Sequence, residues 1–371
     1  MTGDVRPARS SRSSPFGSAR VPVAVLGATG AVGQAFVRRL ANHPWFELVE
    51  VAASERSAGR TYAEAVRWIG DDAIPPAIAK LTVQPCDPAR VRSRVVFSAL
   101  DSSVAGEAEA AFAKAGSAVL SNAKNYRMEP DVPLVIAEVN PDHLDVLDTQ
   151  RRNRNWTGAI VTNGNCAAIA AVLPLAPLHE AFGVTRVFAA TMQAVSGAGY
   201  PGVPSLDILG NVIPFIKDEE PKLEAEVRKF LGRRSASGDR IDDASIAVSS
   251  HTNRVAVEHG HTIVMSVELE RKADIAEIEQ AMRAWRGASE ACGLPSSPDR
   301  PLVVASEPDR PQPRRDADAG DGMTVTVGRV RRDTVFDVRF VALGHNIIRG
   351  AAGASVLNAE LMAATGRLHR P

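Results

Sequence analysis

The stretch Val21-Pro22-Val23-Ala24-Val25-Leu26-Gly27-Ala28-Thr29-Gly30-Ala31-Val32-Gly33 runs an apolar segment straight into three evenly spaced glycines, and an amphipathic pattern continues to Leu40. A short apolar run followed by a helical period reads as strand, tight turn, helix. Glycines let the backbone turn sharply and come close to a pyrophosphate, and the helix that follows offers it free N–H groups and the positive end of a dipole. A second apolar run, Leu48 to Ala53, closes a βαβ unit. In that context Gly27, Thr29, Gly30, Ala31, Val32 and Gly33 are candidate dinucleotide-binding residues.

After the second strand, a site for NAD would place an acidic side chain on the ribose 2'-hydroxyl. This chain instead reads Ala52-Ala53-Ser54-Glu55-Arg56-Ser57. A guanidinium and two hydroxyls, from Arg56, Ser54 and Ser57, suit a 2'-phosphate, which favours NADP despite Glu55.

Working outward, further strand candidates lie at Val95 to Ala99, Ala118 to Leu120, Leu134 to Ala137 and Ala159 to Thr162, with an Ala-rich helical segment at Ala105 to Ala115. The alternation predicts a Rossmann-type doubly wound parallel sheet. Beyond Cys166 the β-like runs lengthen, at Val184 to Val195, Thr262 to Leu269, Thr324 to Val330 and Val335 to Leu343. These predict an α+β domain with a largely antiparallel sheet. The Pro-, Asp- and Arg-rich stretch from Ser296 to Gly322 reads as loop with a short strand at Leu302 to Ala305. Gly350 to Leu368 reads as a helix whose small residues let it pack closely on another element.

With 371 residues, 45% of them hydrophobic, the chain is long enough for about two domains. Lys plus Arg and Asp plus Glu both number 43, so no global field draws nucleic acid or an anionic membrane. Cys86, Cys166 and Cys292 have neither CxxC spacing nor a pairing pattern, which argues against a disulfide framework or a metal site and for a reducing compartment. No apolar run approaches the ~18 residues a membrane span needs. Residues 1–20 are expected to form a disordered extension. Their Arg/Ser richness leaves a transit peptide as the minority alternative to a cytoplasmic location.

Asn163-Gly164-Asn165-Cys166 falls between a strand and a long Ala/Leu pattern, so the thiol is expected at a helix N-terminus, where the dipole favours thiolate. On its own, such a cysteine is more often a buried structural one. His261 is a candidate base for it, with an intrinsic pKa near neutrality. Arg254 can clamp a carboxylate, provided the turn before His261 bends the chain enough to bring both to one pocket. Glu219, Glu220 and Lys222 open a helix and, read alone, form a solvated face.

Taken together the chain resembles aspartate-semialdehyde dehydrogenase, in the form found in archaea, fungi and some bacteria. The resemblance rests on GATGAVGQAFV, HPWFELVEVAASERSAGRTY, FAKAGSAVLSNAKNYRM, EVNPDHL, MQAVSGAGYPG, NVIPFIKDEEPKLEAE, NRVAVEHGHT and RGAAGASVLNAEL, in this order from Val21 to Gly366. It implies NADPH-dependent, reversible reduction of L-aspartyl 4-phosphate to L-aspartate 4-semialdehyde and phosphate, a step in making lysine, threonine, methionine and isoleucine. By the same resemblance Cys166 is the acyl-accepting nucleophile, His261 the acid/base and Gln193 the group orienting the thioacyl substrate. Arg254 would bind the α-carboxylate and Glu219 the α-ammonium. Lys222 and Arg127 would hold phosphate with Asn122 beside it, and Asn346 would reach the nicotinamide amide. No metal is implied.

The resemblance also implies that the C-terminal helix returns to the cofactor domain, giving an NADP-binding domain of 21–164 and 347–371 and a catalytic and dimerisation domain of 165–346. It further implies a homodimer or homotetramer. The chain departs from the family pattern at Gly164, usually Pro, at Ala167 and Ala168, usually a polar pair, and at Ala137 and Ala256, usually Pro. Two alternatives are a malonyl- or succinyl-CoA reductase, whose substrate has no ammonium for Glu219, and a cofactor-binding paralogue without catalysis.

Overall fold

The structure is a computed structural model and describes residues 12–368. Its first sheet is wholly parallel and contains β1 (Val21–Leu26), β2 (Phe46–Ala53), β3 (Val83–Pro85), β4 (Val95–Ser98), β5 (Ala118–Ser121) and β6 (Ala159–Thr162), in the order β3-β2-β1-β4-β5-β6. Helices α1 (Ala31–Leu40), α2 (Tyr62–Ala65), α3 (Pro76–Ala79), α4 (Ser102–Lys114) and α5 (Leu147–Arg154) connect these strands. Every residue of β4 and β6 is buried, which is why these strands read as unbroken apolar runs rather than alternating ones. The strand order reverses between β1 and β4, and the turn after β1 opens into that crevice, the ligand position of an open α/β sheet.

The second sheet is mixed. Its strands are β7 (Val184–Gln193), β8 (Val212–Ile213), β11 (Ala247–Val255), β12 (His261–Leu269), β13 (Leu302–Val304), β14 (Val325–Arg332) and β15 (Val338–Gly344), in the order β13-β14-β15-β12-β7-β11-β8. A separate two-stranded ribbon joins β9 (Arg233–Arg234) to β10 (Ile241–Asp242). Four of the six neighbouring pairs are antiparallel, while β11 with β7 and β13 with β14 are parallel. The remaining helices are α6 (Cys166–Phe182), α7 (Ser205–Ile208), α8 (Glu219–Phe230), α9 (Ile275–Ala284), α10 (Pro313–Asp316) and α11 (Gly353–Ala364), the last of which packs on the first sheet. Helix α6 is apolar nearly all round and correspondingly buried.

Two expectations need correction, and one strand was not anticipated. Leu134 to Ala137 is not a strand: only Leu134 bridges to Thr162, and the chain then turns. Asn140 takes the place of a ladder partner, its Oδ1 accepting from Ile136 N–H at 2.8 Å and its Nδ2 donating to Leu134 O at 3.0 Å. Ala247 to Val255 is a strand that hydrophobic patterning does not reveal, because its middle is Ser-Ser-His-Thr-Asn. Glu224 and Glu220 of α8 accept from Ser250 N–H and Thr252 N–H, so polar residues are satisfied there. The extension is ordered over 12–20, where Arg12 N–H donates to Gly293 O at 2.7 Å and Phe16 packs on the core. Residues 1–11, the rest of that expectation, lie outside the described residues.

The C-terminal segment begins with a π-helical stretch, Ile348–Ala352, that continues into α11. Val356, Leu357, Leu361 and Met362 share one core with Val23, Val25 and Phe36. Arg349 and Glu138, each about 1% exposed at the side chain, form a two-pronged ion pair of 2.7 Å per contact that anchors this segment. Removing one partner strands a buried charge, which costs about 3–5 kcal/mol. Glu138→Gln should therefore lower the unfolding free energy by that much, read as a lower denaturant midpoint at unchanged m, and an unchanged midpoint would show that the pair does not anchor the segment.

Candidate active site

The glycine turn has the form a dinucleotide needs. Gly27 has φ +71°, and a Cβ on it would come 2.5 Å from Ala99 O. A Cβ on Gly33 would come 2.2 Å from Gly27 O, so this glycine lets α1 close onto the turn. Gly30 is exposed, with Gly27 O at 3.5 Å as the nearest obstacle to a Cβ, so space remains over the first turn of α1, which Ala31 and Val32 open. Tyr62, which sequence reasoning passed over, supports the turn from below by donating to Ala28 O at 2.9 Å. Exposed Ser54 and Arg56 and half-buried Ser57 form a turn at the C-terminal end of β2, Ser57 N–H donating to Ser54 O at 2.8 Å. These residues fit a dinucleotide carrying a 2'-phosphate.

Cys166 is the first residue of α6. Asn165 caps that helix, its Oδ1 accepting from Ala167 N–H at 2.9 Å and Ala168 N–H at 3.1 Å. The cap satisfies the very backbone groups beside which the family pattern carries hydroxyls. Behind Cys166 the C-terminal segment approaches so closely that a Cβ on Gly350 would come 2.4 Å from Cys166 Cβ.

The thiol faces His261, with Sγ to Nε2 at 3.1 Å. Backbone Ala194 N–H donates to His261 Nδ1 at 3.1 Å, and Arg254 Nη1 donates to Ala194 O at 3.0 Å. The backbone of one residue, Ala194, just past the end of β7, therefore holds both side chains. The sheet order explains how Arg254 and His261 share a pocket: β11 and β12 flank β7, and the turn at 256–260 carries the chain across its end. A neutral imidazole that accepts at Nδ1 keeps its proton on Nε2. The resting ring thus presents sulfur with a donor, not with the lone pair that the sequence reading of a free base required.

Burial raises the Cys166 pKa to about 12, assisted by the Glu219 carboxylate and opposed by Arg127, Arg254 and Ala167 N–H. Burial, Arg254 and His345 hold His261 down to about 3. The expected helix N-terminal effect is present but loses to desolvation, and the resting pair is neutral thiol with neutral imidazole.

Around this pair, Gln193 donates from Nε2 to Glu219 Oε1 at 3.1 Å, and Asn165 donates from Nδ2 to the same oxygen at 2.8 Å. Lys222 Nζ lies 3.8 Å from Glu219 Oε2. The solvated-face reading of Glu219 is corrected, because the side chain is buried. Arg127 donates to Asn122 O and Glu226, with its Nε buried and without a partner among the described residues. Asn122 Oδ1 accepts from Asn163 at 3.0 Å. Asn346 has its amide engaged by protein, Oδ1 accepting from Gly260 N–H and Nδ2 donating to Ser196 Oγ. The structure also accounts for Gly164, since a Cβ there would lie 2.3 Å from Phe230 Cζ. Among the described residues no cluster of His, Cys, Asp or Glu could hold a metal ion, and no helix is long and apolar enough to cross a membrane.

A dinucleotide-binding sheet joined to a second domain that brings a half-buried cysteine against a buried histidine defines a two-domain aldehyde oxidoreductase of the thioester-forming kind. Family models match it in both parts: the semialdehyde dehydrogenase NAD-binding domain over residues 22–147 and the semialdehyde dehydrogenase dimerisation domain over 175–349. The chain belongs to the aspartate-semialdehyde dehydrogenase family. It is 51% identical to the aspartate-semialdehyde dehydrogenase of Archaeoglobus fulgidus, covering 92% of this chain and 98% of that one. It is 44% identical to the Schizosaccharomyces pombe enzyme, covering 93% and 98%. A crystal structure of aspartate semialdehyde dehydrogenase with NADP from Candida albicans superposes with a TM-score of 0.87 at 41% identity, covering 94% of this chain and all of that one. The resemblance to the archaeal and fungal form is borne out, and neither the CoA-reductase nor the non-catalytic reading finds support in these relatives.

The raised thiol pKa has a measurable sign. Thiolate forms only as pH climbs toward the raised value, so iodoacetamide alkylation of Cys166 in substrate-free protein should keep accelerating above pH 9. A rate that levels off below pH 8 would contradict the neutral resting pair.

Proposed function

We propose that this chain catalyses the NADP-dependent, reversible conversion of L-aspartyl 4-phosphate to L-aspartate 4-semialdehyde and phosphate through a thioester on Cys166, in the biosynthesis of lysine, threonine, methionine and isoleucine. The observation that carries this reading is the 3.1 Å approach of Cys166 Sγ to His261 Nε2 beside Gln193, Glu219 and Arg254.

Arg254 takes the substrate α-carboxylate and Glu219 its α-ammonium, which presents the β-acyl carbon to sulfur. The ammonium also offsets the Glu219 charge that raises the thiol pKa, so substrate binding itself favours thiolate. Sulfur bonds to the acyl carbon as the carbon–oxygen bond to phosphate breaks. The thiol proton ends on the departing group, which leaves as hydrogen phosphate, with Arg127 and Lys222 stabilising its charge and Asn122 bordering them. NADPH, when bound, supplies the hydride that takes the thioester to the thiohemiacetal level. The reduction takes up one proton from solvent, which His261 Nε2 relays to the thiohemiacetal oxygen and then to sulfur as the carbon–sulfur bond breaks, leaving aldehyde and free thiol, while its other nitrogen is fixed by Ala194. Gln193 orients the thioacyl group.

Gly27, Thr29, Gly30, Ala31, Val32 and Gly33 hold the pyrophosphate, Ser54, Arg56 and Ser57 the 2'-phosphate, and Asn346 borders the nicotinamide. The division we propose is an NADP-binding domain of 21–164 and 347–371 and a catalytic and dimerisation domain of 165–346. The assembly is a homodimer or a homotetramer in the cytoplasm.

The test is phosphate-dependent NADP reduction with L-aspartate 4-semialdehyde. Wild type should turn over with at least about tenfold preference for NADP over NAD, and Cys166→Ser should show no turnover. Arg56→Ala should erode the cofactor preference without abolishing activity. Turnover by Cys166→Ser at the wild-type rate would remove the nucleophile from the scheme.

A further inference from the structure

Helix α8 sends two buried carboxylates into the site, and the proposed mechanism uses only one of them. Glu219 and Glu226 are seven residues apart, two helical turns, and so share one face. Both reach Asn165, the residue immediately before the nucleophile. Glu219 takes its side-chain amide at 2.8 Å, and Glu226 Oε2 takes its backbone N–H at 2.5 Å. The other oxygen, Glu226 Oε1, accepts from Arg127 Nη1 at 2.8 Å. Glu226 is 2% exposed and Arg127 7%, so solvent can replace neither contact.

We propose that Glu226 is a positioning residue: one carboxylate fixes the guanidinium of Arg127 to the peptide that begins the Cys166 helix, and thereby sets the anion-holding group at a constant distance from the nucleophile. The phosphate half of this inference rests on the role given above to Arg127, whereas the half concerning Cys166 does not. Three observations support it. Arg127 is held at both Nη groups, by Glu226 and by Asn122 O, and its buried Nε has no partner among the described residues, so its hydrogen-bonding capacity is not filled by protein. Gly164 leaves no side chain between α8 and the Asn165 peptide, and a Cβ there would lie 3.1 Å from Glu226 Oε2 and closer still to Phe230. Arg127 is also near enough to Cys166 to act on its thiol electrostatically, so Glu226 balances a charge that sulfur feels.

The experiment is a double-mutant cycle on the full-length protein with Glu226→Gln, Arg127→Ala and both together. A glutamine has the same shape but a single acceptor oxygen, so it cannot receive both N–H groups. Each single variant should raise KM for phosphate about tenfold while leaving KM for the semialdehyde within about twofold, and the double variant should be no worse than Arg127→Ala alone. A second readout uses no phosphate. In Arg127→Ala the unpaired Glu226 carboxylate should slow iodoacetamide alkylation of Cys166 several-fold at pH 8.5, and adding Glu226→Gln should restore much of the rate. Restored alkylation with an unchanged phosphate KM would uphold Glu226 as the link and refute the phosphate role of Arg127. Additive effects in both readouts would overturn the proposal. If Glu226→Gln does not fold, Arg127→Ala decides alone: alkylation at the wild-type rate overturns the link.

Discussion

The site depends on how the start of α6 is held. Four helix-end N–H groups need acceptors, and here they lie in the protein interior where water cannot supply them. Asn165 meets two of these needs with one oxygen, and its own amide and peptide N–H are then claimed by Glu219 and Glu226. The same carboxylates reach Gln193, Lys222 and Arg127. Satisfying the cap therefore draws α8, the end of β7 and the loop carrying Arg127 to within one side chain of Cys166. Three backbone constraints make the approach feasible: Gly164 clears room for Phe230, Gly350 clears room for the Cβ of Cys166, and the Ala194 backbone ties Arg254 to His261 through its N–H and its carbonyl.

The electrostatics follow from that packing. The chain carries no net charge, yet the pocket concentrates two glutamates, two arginines and a lysine around a half-buried thiol. Desolvation disfavours charge on sulfur and on imidazole alike, so the two rest as a neutral pair. On the assignment proposed above, a substrate carboxylate, ammonium and phosphate would meet Arg254, Glu219 and Lys222 with Arg127, and offsetting the Glu219 charge would favour thiolate. Recognition would then be coupled to activation.

Some of this was legible in the residues, and some was not. The glycine turn and its flanking strand and helix stand in one continuous stretch, and their spacing is a local property. The resemblance named Cys166, His261, Gln193, Arg254 and Glu219 by motif, and the structure brings these five together. Asn165, Glu226 and Tyr62 escaped because nothing local distinguishes a capping asparagine, a helical glutamate or an apolar-flanked tyrosine from its ordinary counterparts. The strand Ala247 to Val255 escaped because its polar middle is satisfied by glutamates from a helix distant in sequence. Leu134 to Ala137 misled because its apolar run is real and buried, while Asn140 supplies the hydrogen bonds that a ladder would have made.

The sequence by itself determined the parallel cofactor sheet, the placement of a thiol at a helix start and the family to which the chain belongs, because short-range periodicity and motif order carry that information. Only the tertiary structure decided the protonation state of the Cys166–His261 pair, the tautomer of the ring and the partners of Arg127. Those depend on burial and on contacts between residues as much as 99 positions apart, as in Arg127 with Glu226. Desolvation and hydrogen-bond geometry are properties of the packed interior, and no spacing along the chain encodes them.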